Sequence, residues 1–177
     1  PLQLIRLSIG RRDESCRLSS VSGIQRQFSN PHRELDLMPQ SSETEPSGSL
    51  TVHVDLAERS YDIEISTDRL SSAGPAIAGW LEARLGASSG QQSALIVTDR
   101  NVTAHADVVQ TSLTGQGWKA RTVELEPGEK TKALPVIAEL YEQMVSMKAD
   151  RRTVVVAVGG GVIGDAAGFL AATYNRG

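Results

Sequence analysis

The sequence predicts an α/β chain built on a parallel sheet with helices on both faces, and three observations predict it. From about residue 94 onward, apolar runs of strand length alternate with amphipathic runs of helix length. Each predicted strand ends in a polar or glycine-rich loop that leads into the next helix. The run from Thr153 to Val158 is apolar after its first residue and rich in β-branched side chains, as a strand covered on both faces must be.

Taken in order, residues 1–49 are rich in Ser, Arg, Gln and Pro and hold no apolar period of 2 or 3.6 for more than a few positions. They predict a disordered or mispredicted leader. Its Arg and Ser content fits an organelle transit peptide, but Asp13, Glu14, Glu34 and Asp36 break the acid-poor signature of such peptides. A start at Pro1 fits a beginning that was processed, mispredicted or cut.

Order is predicted over residues 50–177. Leu50, Val52 and Val54 alternate with polar residues, and Tyr61, Ile63 and Ile65 repeat the period, which predicts two short, half-buried strands. Pro75 opens a helix whose core stripe is Ile77, Leu81 and Leu85, with Trp80 on the adjoining face and Gly86 at its end. Ala94 to Thr98 is a buried strand running into Thr98-Asp99-Arg100-Asn101; a helix follows to about Leu113, closed by Gly115 and Gly117. Val123 and Leu125 mark another strand. The loop Glu126-Pro127-Gly128-Glu129-Lys130-Thr131-Lys132 leads to a helix carrying Ile137, Leu140, Tyr141, Met144 and Met147. The last unit is the strand to Val158, then Gly159-Gly160-Gly161-Val162-Ile163-Gly164-Asp165.

Composition narrows the partners. The 177 residues are 40% hydrophobic, enough for one sizeable core. A net charge of -3 and a pI near 5.6 give no basic field for nucleic acid or an anionic membrane, so neither is expected as a partner and a small molecule is. No stretch approaches the roughly 18 apolar residues of a membrane span. Cys16 is the single cysteine, which leaves no disulfide framework and fits a cytoplasmic setting. His32, His53 and His105 lie too far apart to suggest a metal site, and Trp80 and Trp118 read as packing residues.

Gly159, Gly161 and Gly164 satisfy G-x-G-x-x-G between a strand and a helix, where absent side chains let backbone N–H groups approach a pyrophosphate. This sharpens the class to a Rossmann-like sheet. The same residues also suit a tight turn with close strand–helix packing. The turn follows the last strand rather than the first, and the chain ends before an acidic ribose partner would arrive about 20 residues on. Asp165 suits either a helix-start carboxylate or an acceptor for ribose, substrate hydroxyl or cation.

The block Gly159 to Phe169, continued by Ala171-Ala172-Thr173-Tyr174-Asn175-Arg176-Gly177, resembles the signature of the 3-dehydroquinate synthases. Glu126 to Lys132 resembles that family's second cofactor loop, and Thr98-Asp99-Arg100-Asn101-Val102 its first. The resemblance covers about Tyr61 to Gly177 and implies the N-terminal, NAD-binding domain of the dehydroquinate synthase-like fold, truncated before its metal-binding helical domain. It implies that Asp99 and Asn101 lie near the adenosine end of NAD, that Glu129 and Lys132 hold ribose and phosphate, and that Gly160, Gly161, Val162 and Asp165 line the same cofactor site. Arg176 would meet the phosphorylated substrate. For Glu129 and Lys132 a solvated charged loop is the competing reading, and for Arg176 a helix-end cation.

The activity implied is that of a lyase: NAD-dependent cyclisation of 3-deoxy-D-arabino-heptulosonate 7-phosphate to 3-dehydroquinate with release of phosphate, in the shikimate pathway of aromatic amino acid biosynthesis. The full-length enzyme would be a homodimer carrying zinc or cobalt. Neither the metal ligands nor any catalytic residue is expected in this fragment, which is expected to be inactive alone. Another sugar-phosphate cyclase, an iron-type alcohol or glycerol dehydrogenase, and a non-catalytic nucleotide-binding remnant are the alternatives. The Ala-Thr-Tyr-x-Arg-Gly continuation favours cyclases over dehydrogenases.

Overall fold

The computed structural model describes residues 3–7, 50–57, 60–86 and 90–176. They fall into two compact units, Pro1–Gly10 with Asp68–Gly177, and Arg11–Thr67.

The larger unit is the predicted parallel sheet. β1 (Gln3–Leu7), β4 (Ser93–Asp99), β5 (Lys119–Leu125) and β6 (Val154–Val158) pair in the order β1-β6-β4-β5, every pair parallel. Helices α1 (Ala73–Leu85), α2 (Thr103–Gly115), α3 (Leu134–Ser146) and α4 (Gly161–Thr173) complete the unit. Alternation along the central strands assigns the faces. Leu95, Val97, Val155 and Ala157 pack with Ile137, Leu140 and Met144 of α3 and Ile163, Ala167 and Leu170 of α4. Ala94, Ile96, Val154, Val156 and Val158 pack with Ile77 and Leu81 of α1 and Val109 and Leu113 of α2. Helices thus cover both faces, and β6 is buried along its whole length.

The helices form for local reasons. α3 has Pro within its first two positions, where no helical N–H is required, and buries Ile137, Leu140 and Met144 at helical spacing. α1 buries Ile77 and Leu81 and ends at Gly86, whose φ of 76° a side chain would resist. The third member of its expected stripe, Leu85, is exposed in the last turn of the helix. Trp80 is partly buried with the Arg84 guanidinium 5.6 Å from its ring centre, and Trp118 is buried in the α1–α2 face. Where α1 crosses α2, a Cβ at Gly74 would lie 2.3 Å from the carbonyl oxygen of Ser112. The Ser112 hydroxyl accepts from the Gly74 N–H at 2.9 Å and donates to the Ser71 carbonyl at 2.6 Å.

Gln3–Leu7 lies inside the leader expected to be disordered, yet it forms β1 and pairs residue for residue with Val154 to Val158. Five residues are too few to show a period, and the partner strand lies at the far end of the sequence. The rest of the leader, with Cys16 and His32, lies outside the described residues.

The smaller unit holds the antiparallel hairpin of β2 (Leu50–Val54) and β3 (Tyr61–Ile65), with Leu50 opposite Ile65, Val52 opposite Ile63 and Val54 opposite Tyr61. The alternation is as expected. The half-burial is not, since all but Val54 are exposed, and the described residues of this unit hold no further strand or helix to cover a face. On the opposite face His53 Nδ1 lies 2.7 Å from Asp62 Oδ1, a cross-strand pair.

Candidate cofactor site

Three loops leave the sheet at one end. Register places them in one row: Thr98 is opposite Val158, so Gly159 begins its turn beside Asp99, and Asp99 is opposite Leu125, where the Glu126 loop begins. In parallel sheets this carboxyl end of the strands is where ligands bind.

The glycine turn divides its labour. Gly159 has φ 154°, and a Cβ there would lie 3.0 Å from Ile163 Cγ1, so this glycine serves strand–helix packing. At Gly160 an added Cβ would meet nothing within 4 Å. Gly160 is also the N-cap of α4 and offers no capping side chain, which leaves the first N–H groups of the helix to an outside acceptor. Close strand–helix packing thus accounts for Gly159, while the backbone at Gly160 stands open. Because α4 starts at Gly161, Asp165 falls in its second turn and is no helix-start residue.

The loop after β5 is exposed to solvent except at Thr131. Thr131 is buried, its hydroxyl donating to the Glu126 carbonyl and its N–H to the Gly128 carbonyl at 3.1 Å. This closes a 3-10 turn, Glu129–Lys132, from which Lys132 Nζ reaches Glu129 Oε2 and Asp165 Oδ2, each at 3.0 Å. Hydrogen bonding to Asp165 and then to Glu129 holds the Lys132 ammonium above its ordinary 10.5. The pair opens onto a cavity of about 210 Å³ lined by Lys132, Leu134, Ile137, Asp165, Ala166 and Phe169.

At the end of β4, Asp99 Oδ1 accepts from the Asn101 N–H at 2.8 Å, leaving Oδ2 without a partner among the described residues. By register, Asp99 ends the strand next to the one that runs into the glycine turn. A carboxylate at this sheet end thus precedes the turn in sequence, on the neighbouring strand, and does not follow it. The structure brings Glu129, Lys132 and Asp165 together, and sets Asp99 in one row with the turn. Asn101 is exposed, and Arg176 closes a short 3-10 turn after α4. Arg100, Glu124 and Glu126 form a charged cluster at the same end of the sheet that the sequence did not single out. Only the order of the strands brings β5's carboxylates to β4's arginine. Among the described residues no three His, Cys, Asp or Glu side chains are grouped to hold a metal ion, so none is assigned here.

Residues 122–177 match the family model described as 3-dehydroquinate synthase N-terminal. A 3-dehydroquinate synthase of Paracoccus denitrificans (strain Pd 1222) is 41% identical over 128 residues, covering 72% of this chain and 33% of its own length. One from Sinorhizobium medicae (strain WSM419) is 37% identical over 142 residues, 80% of this chain and 35% of its own length. Among solved structures, a 2-deoxy-scyllo-inosose synthase matches with a TM-score of 0.58 at 25% identity, over 72% of this chain and 34% of that one. A 2-epi-5-epi-valiolone synthase from Streptomyces hygroscopicus subsp. jinggangensis 5008, with NAD+ and Zn2+ bound, matches with a TM-score of 0.52 at 26% identity, over 70% and 32%. The chain spans about a third of the length of the curated relatives it matches.

Proposed function

We infer that this chain belongs to the 3-dehydroquinate synthase-like sugar-phosphate cyclases and supplies the NAD-binding half of their active site. One observation carries the reading: the Gly159–Gly161 turn, the Asp99 carboxylate and the Glu129–Lys132 loop leave three adjacent strands at the same sheet end. In this reading the open backbone at Gly160, with Gly161 and Val162, receives the pyrophosphate at the start of α4. Asp99, with Asn101, accepts from the adenosine ribose, and Glu129 and Lys132 hold ribose and phosphate groups, Lys132 as a hydrogen-bond donor because Glu129 and Asp165 already offset its charge. NAD bound here supplies reversible hydride acceptance from a substrate hydroxyl. The chain's part is to fix the dinucleotide; Arg176 is assigned to the substrate phosphate, which a guanidinium fork suits. The divalent metal, zinc or cobalt, is assigned to residues outside those described.

The substrate proposed is 3-deoxy-D-arabino-heptulosonate 7-phosphate, cyclised with loss of phosphate. Sequence supports this choice among cyclases, because identity to the dehydroquinate synthases exceeds that to the two other cyclases of known structure. Weak NAD binding by the chain, detected by ligand-observed NMR and abolished by Gly160→Trp, is the expected result. That substitution fills the cradle while the backbone at φ -81°, ψ -163° accepts any residue. A chimera carrying residues 50–177 in place of the matched third of the Paracoccus relative should release phosphate from this substrate only with NAD. A folded chimera that binds no NAD would sink the proposal.

A further inference from the structure

Arg100 directly follows Asp99 at the end of β4. In dinucleotide-binding sheets a carboxylate at such a strand end accepts from the free ribose hydroxyls, whereas a nearby arginine accommodates a 2′-phosphate. An acid and an arginine side by side therefore fit either form of the cofactor. Tertiary contacts separate the two. Arg100 Nε donates to Glu124 Oε1 at 3.3 Å, and its Nη2 pairs with Glu126 Oε1. Glu124 is itself anchored, its Oε2 lying 2.7 Å from the Thr103 hydroxyl at the start of α2. The guanidinium is thus faced by two carboxylates from the end of β5. With Asp99, three carboxylates against one guanidinium leave a formal charge of -2 at this corner. A 2′-phosphate would add roughly two more negative charges.

We propose that Glu124 and Glu126 set cofactor specificity by occupying Arg100, so that the corner accepts NAD and turns away its 2′-phosphorylated form. The inference rests on the reading of Asp99 as the ribose acceptor. Glu124 and Glu126 act through Arg100 and are positioning residues; neither is asked to touch the bound NAD. Arg100 and Glu126 are 62% and 67% exposed, so the pairs are screened by water and contribute little to the fold. Their removal is therefore a test of recognition rather than of folding.

The test compares NAD and NADP binding to the 177-residue chain by ligand-observed NMR titration. The unaltered chain should prefer NAD. Glu124→Gln with Glu126→Gln frees the guanidinium without changing side-chain size, and should narrow that preference by roughly tenfold through gained NADP affinity, as one phosphate–guanidinium contact would. Adding Arg100→Ala should cancel the gain, which a general loosening of the fold would not do. Glu126→Gln alone, at the more exposed position, should give part of the shift even if the double variant folds poorly. An unchanged ratio with NAD binding retained overturns this inference and leaves the cofactor site standing. Loss of the ratio shift only by unfolding is seen as equal weakening of both ligands in both variants, and also overturns it. No binding of either dinucleotide by the unaltered chain overturns the site assignment, and this inference with it.

Discussion

Lys132 joins two carboxylates that stand far apart in the chain, one on its own 3-10 turn and one on α4. Both contacts favour the ammonium, so its pKa is raised in the folded state. The sign of the linkage follows: the contribution of this bridge is complete below the ordinary value of 10.5 and is lost as pH rises through the raised folded value. Around neutral pH the charge is constant, and cofactor binding should show no pH dependence from this group. Asp165→Asn removes the stronger of the two partners and should bring the Lys132 titration, followed by NMR of its side-chain carbons, back toward 10.5. A titration that does not move would mean that the two groups are not paired in solution. The residue types here were legible in the sequence, as Glu129, Lys132 and Asp165. Their meeting was not, because it depends on β5 and β6 both lying beside β4 and delivering their loops to one side.

Among the elements, α1 offers a comparison of two glycines under one backbone. Gly74 sits against the Ser112 carbonyl, so Gly74→Ala must push α1 and α2 apart and should destabilise the chain by about 1–3 kcal/mol, the usual range for overpacking. Gly79 has nothing within 4 Å of an added Cβ and lies mid-helix, so Gly79→Ala should stabilise by about 0.5–1 kcal/mol through reduced unfolded-chain freedom. Urea unfolding of the two variants checks both signs. Equal effects would mean that the α1–α2 crossing is looser than described. Period and punctuation made α1 to α4 and β4 to β6 legible, each to within a few residues of its observed bounds. Leu85 escaped, since periodicity states which side of a helix is apolar and not whether a neighbour covers every turn of it.

For the molecule as a whole, β1 is the element on which sequence and structure part. It occupies one side of β6, a strand buried throughout, while β4 occupies the other. Deleting residues 1–10 should turn β6 into an apolar edge, with faster hydrogen exchange at Val154 to Val158 and a greater tendency to associate. Unchanged exchange would show that β1 does not hold that edge. What the sequence determined by itself was the class and the candidate residues: strand and helix periods fix which residues can be buried, and the glycine turn, Asp, Glu and Lys stand in its loops. Only the tertiary structure decided the strand order, and with it the site. Parallel pairing joins strands regardless of their distance in the chain. Asp99 consequently ends the strand beside a glycine turn that follows it in sequence, and Arg100 came to face Glu124 of β5 and Glu126 just after it.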